Sequence, residues 1–221
     1  MKKNTLGILL VFTLFSACKK KDTPPDTSPA TLTLNGTTYH TVVIGNLRWT
    51  TENYDGPGGV PSPRNIEATT GKFYSIAEVD ALKLPDGWRV PTEADFINLL
   101  KSQGTVTEYT HGVFYLDPVA ARHLRATSLW GIPGDNQSGF NAQGTGSYNS
   151  FVNEFPNFNA YATFWSSTVT PDTGDGPDRA LLILIAYINQ GAGLQHVEST
   201  TVDPTYNGKS LGYNLRFVKS N

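Results

Sequence analysis

One cysteine in 221 residues, Cys18, sets the first limit on how this chain folds. It directly follows a segment in which Lys2 and Lys3 precede an apolar run from Leu6 to Phe15. That layout matches a secretory signal, and the run is too short to span a bilayer, so Met1 to Ala17 reads as a removable leader. Beyond Cys18 no thiol is left for a disulfide, a structural zinc site or nucleophilic catalysis. The remaining chain of about 200 residues must therefore hold itself together by burial. A domain of that size buries around 70% of its unfolded surface, which is enough without a covalent staple.

Ser16 and Ala17 before Cys18 resemble a bacterial lipobox, with Phe15 where leucine is commoner. The resemblance implies a diacylglycerol thioether on Cys18 and palmitate-type acylation of the new amino terminus. Two or three acyl chains anchor a protein without a transmembrane helix, since each buried methylene contributes about 0.8 kcal/mol. Lys19 to Ala30 (KKKDTPPDTSPA) is polar and proline-rich, a semi-extended tether. Its start resembles the surface-export tags of Bacteroidetes lipoproteins, although Asp22 is the one acidic residue near the lysines. The expected location is an outer-membrane lipoprotein, displayed at the surface.

Lys and Arg number 17 against 19 Asp and Glu, with a pI near 6.1, so nucleic acid is excluded as a partner. Twenty-one glycines, 14 prolines and 11% aromatic residues with only 16% charged residues describe a loop-rich fold with an aromatic core. Asn35-Gly36 predicts a tight hairpin joining strands at 31–34 and 37–44, followed by a third at 47–50. Ser75 and Glu78 predict a capping box for a short helix reaching Leu82. Thr92, the stripe Phe96, Leu99 and Leu100, and Gly104 bound a helix over 93–102, and Asp117-Pro118 opens another reaching Ala126. Thr163 to Val169, Ala180 to Tyr187 and Leu211 to Val218 read as strands, the second buried on both faces.

Five stretches carry a family resemblance: Thr41 to Tyr54 (TVVIGNLRWTTENY), Pro85 to Phe96 (PDGWRVPTEADF), Leu124 to Ala142, Phe164 to Thr168 (FWSST) and Gly212 to Val218 (GYNLRFV). Together they resemble the Fibrobacter succinogenes major paralogous domain over most of the chain from Thr31 to Lys219. The resemblance implies an α+β fold, a single irregular C-type-lectin-like domain of twisted antiparallel strands with two main helices and long loops. It implies no settled activity. The family pattern commonly places cysteines where this chain has Leu84 and Phe217. We expect an apolar contact there in place of a disulfide.

Four histidines, His40, His111, His123 and His196, lack metal-ligand spacing. Asp172, Asp175 and Asp178 stand among glycines and supply the hard oxygen donors that Ca²⁺ takes, but without EF-hand order. No pair of carboxylates suggests glycosidase chemistry, and Trp49, Trp88 and Trp165 read as core. The segment Ser128 to Asn159 is long, polar and aromatic, the composition of a structured loop that could bind a ligand. From it and its flank come the candidate ligand residues Trp130, Asp135, Asn136, Tyr148, Glu154, Asn157 and Tyr161. Aromatic faces stack on sugar C–H patches, and Asn, Asp and Glu bond hydroxyls. The expected function is a non-enzymatic, lipid-anchored envelope module that binds a glycan or a protein. The alternative is an adhesin-like assembly component, which an open sheet edge along Leu211 to Val218 would favour.

Overall fold

A computed structural model describes residues 31–64, 70–109, 114–170, 179–186, 193–198 and 211–221. Cys18, the tether, His111 and the acidic loop holding Asp172, Asp175 and Asp178 lie outside the described residues. The first half runs β1 (Thr31–Leu34), β2 (Thr37–Ile44), β3 (Leu47–Thr50), β4 (Val60–Pro61), β5 (Lys72–Phe73), α1 (Ile76–Asp80), β6 (Trp88–Arg89) and α2 (Glu93–Lys101). The second half runs β7 (Thr107–Tyr109), β8 (Phe114–Leu116), α3 (Pro118–Leu124), β9 (Tyr148–Asn149), β10 (Tyr161–Thr170), β11 (Arg179–Ala186), β12 (Gly193–Glu198), β13 (Leu211–Gly212) and β14 (Val218–Ser220). The fold is mixed α+β.

Two five-stranded antiparallel sheets organise it, ordered β1-β2-β3-β14-β6 and β10-β11-β12-β8-β7. The first begins at the Asn35-Gly36 turn, where φ is 52° and 81°, the left-handed pair that a two-residue hairpin needs. The segment Leu211 to Val218 is not one strand. β13 pairs with β9, Tyr213 and Asn214 form isolated bridges to Tyr74 and Phe164, and β14 begins only at Val218. There β14 inserts between β3 and β6, so Val218 stands inside a sheet, while β13 pairs with β9 alone.

Strand alternation divides the aromatic residues between two cores. Phe164 and Trp165 are neighbours on β10, yet Phe164 joins Trp49, Phe96, Leu100, Trp130 and Phe140, while Trp165 joins Tyr39, Tyr54, Tyr74 and Tyr213. Phe217 and Val218 split the same way. Each fully buried large side chain contributes about 1.5–3 kcal/mol, so the two cores dominate stability. Leu84 packs against the cluster that contains Phe217, which places both cysteine-equivalent positions on one apolar body.

The helices follow their caps. Ser75 and Glu78 close a reciprocal box on α1, and Thr92 and Asp95 do the same on α2. Phe96, Leu99 and Leu100 then bury one stripe, with Phe96 against Trp49 at 5.3 Å and stacked on Phe164 at 5.8 Å. Asp117 Oδ1 accepts from Val119 N and Ala120 N at the start of α3.

Candidate functional site

Gly87, at φ 81°, turns the chain into β6, and Trp88 N donates to Pro85 O at 3.0 Å. The turn leaves Trp88 half-buried, packed against the core cluster that contains Phe217 and also bordering a recess. Its neighbour Arg89 straddles the Asp95 carboxylate with two N–H···O bonds, the longer one 3.1 Å. Thr92 N and Oγ1 also donate to Asp95 Oδ2, at 2.7 and 2.8 Å. Burial raises the Asp95 carboxyl, and the bonds from Arg89 and Thr92 outweigh it, so its pKa lies below the ordinary carboxylate value.

Arg89 and Asp95 line two different recesses. On the Arg89 side, Ile76, Val79, Leu82, Leu84, Trp88 and Val90 form an apolar groove of about 430 Å³. Asp80, Arg89, Ser166 and Ser167 give it polar edges. Ile76, Val79 and Asp80 come together because they stand three and four residues apart on α1. Ser166 and Ser167 sit where β10 departs from its register with β11, between Trp165 and Val169. Ser167 N donates to Pro91 O at 2.8 Å, which clamps the irregular strand to the end of β6.

On the Asp95 side, Asn46, Asp95 and Asn98 rim a cleft of about 470 Å³ between the β2–β3 turn and α2. Ile44, Leu47, Trp49 and Leu99 also line it. Both volumes fall in the range of ligand-sized pockets. Each recess holds one carboxylate, Asp80 or Asp95, so neither places two acids face to face.

The residues singled out from the long loop have other surroundings, and none lines either recess. Trp130 is a correction: it is only 6% exposed, its Nε1 donates to Ala142 O at 2.8 Å, and Arg125 lies over its ring. It packs the core and presents no stacking face. Asp135 pairs with His123 Nδ1 at 2.9 Å and Arg122 Nε at 3.0 Å. The His123 bond, helped by Gln137 N and Arg122, outweighs slight burial and holds Asp135 below its ordinary pKa. Asn136 sits at φ 50° and its Oδ1 accepts from Asn141 N at 2.8 Å, a turn-forming role. Tyr148 packs on Phe155 at 4.9 Å and donates to Asn153 Oδ1 at 3.2 Å. Glu154 is exposed, with its backbone bridged to Asn149, and Asn157 O accepts from Tyr161 N at 3.1 Å. The loop thus spends much of its polar chemistry on its own shape.

Sequence reasoning missed both recesses because their walls are far apart in the chain. Trp88 behind a Pro-Asp-Gly turn was the available signal, since a glycine hinge holds the ring against the edge of a sheet rather than inside it.

With this geometry in place, the family can be read from the whole chain. The sequence model of the Fibrobacter succinogenes major domain matches residues 42–219, a span that includes β6, α2 and both recesses. The chain belongs to the Fibrobacter succinogenes major domain family. No curated protein and no solved structure matches it. Within this member of the family, the matched span begins inside β2 and ends inside β14, so it takes in most of the first sheet and the C-terminal strand at its interior.

Proposed function

We propose that this family member is a non-enzymatic binding module of the cell envelope. Lipid on Cys18 holds it to the outer membrane at the surface, and it recognises a glycan or a protein there. The observation that carries this reading is the pair of ligand-sized recesses flanking the Arg89–Asp95 bridge, one of them lined in part by the half-buried Trp88. A half-buried tryptophan with polar groups at its rim suits recognition of an amphipathic surface. Among the described residues no helix is long and apolar enough to cross a membrane, so attachment in this reading falls to the acyl chains. A C-type-lectin-like arrangement belongs to the same proposal.

Metabolic labelling with radioactive palmitate tests the anchor. Label on the full-length chain that disappears in Cys18→Ala supports it, and an unlabelled chain in the soluble fraction refutes it. Recognition is tested by binding of the detergent-solubilised chain to envelope polysaccharides and surface proteins. Trp88→Ala is expected to weaken binding about tenfold if its ring lies in the contact, the size of a 1.4 kcal/mol loss. The assembly-component alternative draws no support from β14, which lies between β3 and β6; self-association of the full-length chain in sedimentation would favour it.

A further inference from the structure

We infer that the cleft between the β2–β3 turn and α2 is a subsite for one neutral saccharide residue. The inference rests on the binding-module reading and names the ligand class for one of its two recesses. Asn46 and Asn98 stand exposed on the rim, and neither carboxamide bonds another protein group among the described residues. Both are firmly based. Asn46 occupies a two-residue turn set by the Ile44–Leu47 pairing, with its carbonyl accepting from Asn221 N at 3.1 Å. Asn98 lies one helical turn beyond Asp95, on the same face of α2.

The chemistry of the rim selects the ligand. A carboxamide donates and accepts at once, as a hydroxyl does, so two of them match adjacent hydroxyls. The charged group in the cleft, Asp95, is spent on Arg89 and Thr92, so nothing there is left to bind an ion. Oδ1 carries one of those bonds and retains capacity for a hydroxyl donor. Below the rim, Ile44, Leu47 and Leu99 offer apolar surface for a C–H face. On the β3 side an extended peptide finds no strand edge to join, because β3 pairs with β2 on one edge and β14 on the other. What fits is a neutral body with one apolar face and a hydroxylated rim.

Saturation-transfer NMR on the full-length chain in detergent provides the test. The probes are glucose, galactose, mannose, N-acetylglucosamine, rhamnose and their disaccharides, with glucuronic acid as the charged comparison. At least one neutral sugar is expected to bind, and more tightly than glucuronic acid. Asn46→Ala and Asn98→Ala each weaken it about fivefold to tenfold with melting temperatures unchanged, whereas Lys83→Ala, outside both recesses, leaves it within twofold. Absence of binding across the panel at millimolar sugar overturns the inference, as does binding indifferent to both asparagine variants. Sugar binding that is lost in Trp88→Ala but kept in Asn98→Ala also overturns this subsite while leaving the binding-module reading standing.

Discussion

Arg216 is the residue on which the fold converges. It is fully buried, and its guanidinium donates to Asn53 Oδ1 at 2.7 Å, Thr50 O at 2.8 Å, Phe140 O at 3.1 Å and Asn141 O at 3.0 Å. Phe140 and Phe164 face it at 5.0 and 5.6 Å. Burial pushes its pKa down to about 9, with Glu52 acting in the other direction, so it remains a cation at neutral pH. One planar fork ties the end of β3, the turn before Ala142 and the C-terminal segment. Lysine has three donors on a single nitrogen and cannot reproduce that fork. Arg216→Lys therefore leaves at least one buried acceptor unpaired and destabilises the protein by roughly 2 kcal/mol or more, read by urea unfolding. A midpoint equal to wild type would contradict this role. Within Gly-Tyr-Asn-Leu-Arg-Phe-Val, strand alternation assigns an arginine between Leu215 and Phe217 to the solvent face, so its burial was not legible from the sequence.

At the level of elements, the caps are the most direct link from residue type to structure. Thr92→Ala removes an N-cap and is expected to cost about 1 kcal/mol, lowering the melting temperature by roughly 2–4 °C for a protein of this size. Asp95 adds a pH dependence. Its folded pKa lies below its unfolded value, so its stabilisation is present above about pH 4 and is lost as pH falls through the folded value. Melting curves from pH 7 to pH 2.5 should fall more gently in Asp95→Asn than in wild type below about pH 4; parallel curves would remove Asp95 as a contributor. The α1 and α2 caps and the β1–β2 hairpin were legible because they are local: Ser75 with Glu78, Thr92 with Asp95, Asn35 with Gly36. The split of Leu211 to Val218 was not. Its apolar alternation fits a continuous strand, but Arg216 turns inward to neutral carbonyls and the segment gives up its ladder until Val218.

For the whole molecule, the placement of the recesses depends on long-range topology. β14 must insert between β3 and β6 before Trp88 borders a groove, and the Thr168 hydroxyl must reach Glu93 N at 2.9 Å before β10 is fixed beside α2. Nothing in local composition encodes either contact. The segment Ser128 to Asn159 looked like a binding loop because asparagine, glycine and aromatic residues serve turn formation as well as ligand contact. Asn136, Asn141, Asn153, Asn157 and Asn159 all adopt positive φ, which accounts for much of that composition. Recognition, as proposed, occurs at the two recesses beside the Arg89–Asp95 bridge. The deciding measurement is binding of the full-length chain in detergent to envelope polysaccharides and surface proteins, compared among wild type, Trp88→Ala, Asn98→Ala and Tyr148→Ala. A ligand that binds wild type and is weakened about tenfold by Trp88→Ala or Asn98→Ala, with Tyr148→Ala unchanged, is the predicted result. Binding that survives both recess variants and falls only with Tyr148→Ala would place recognition on the long loop and contradict the account.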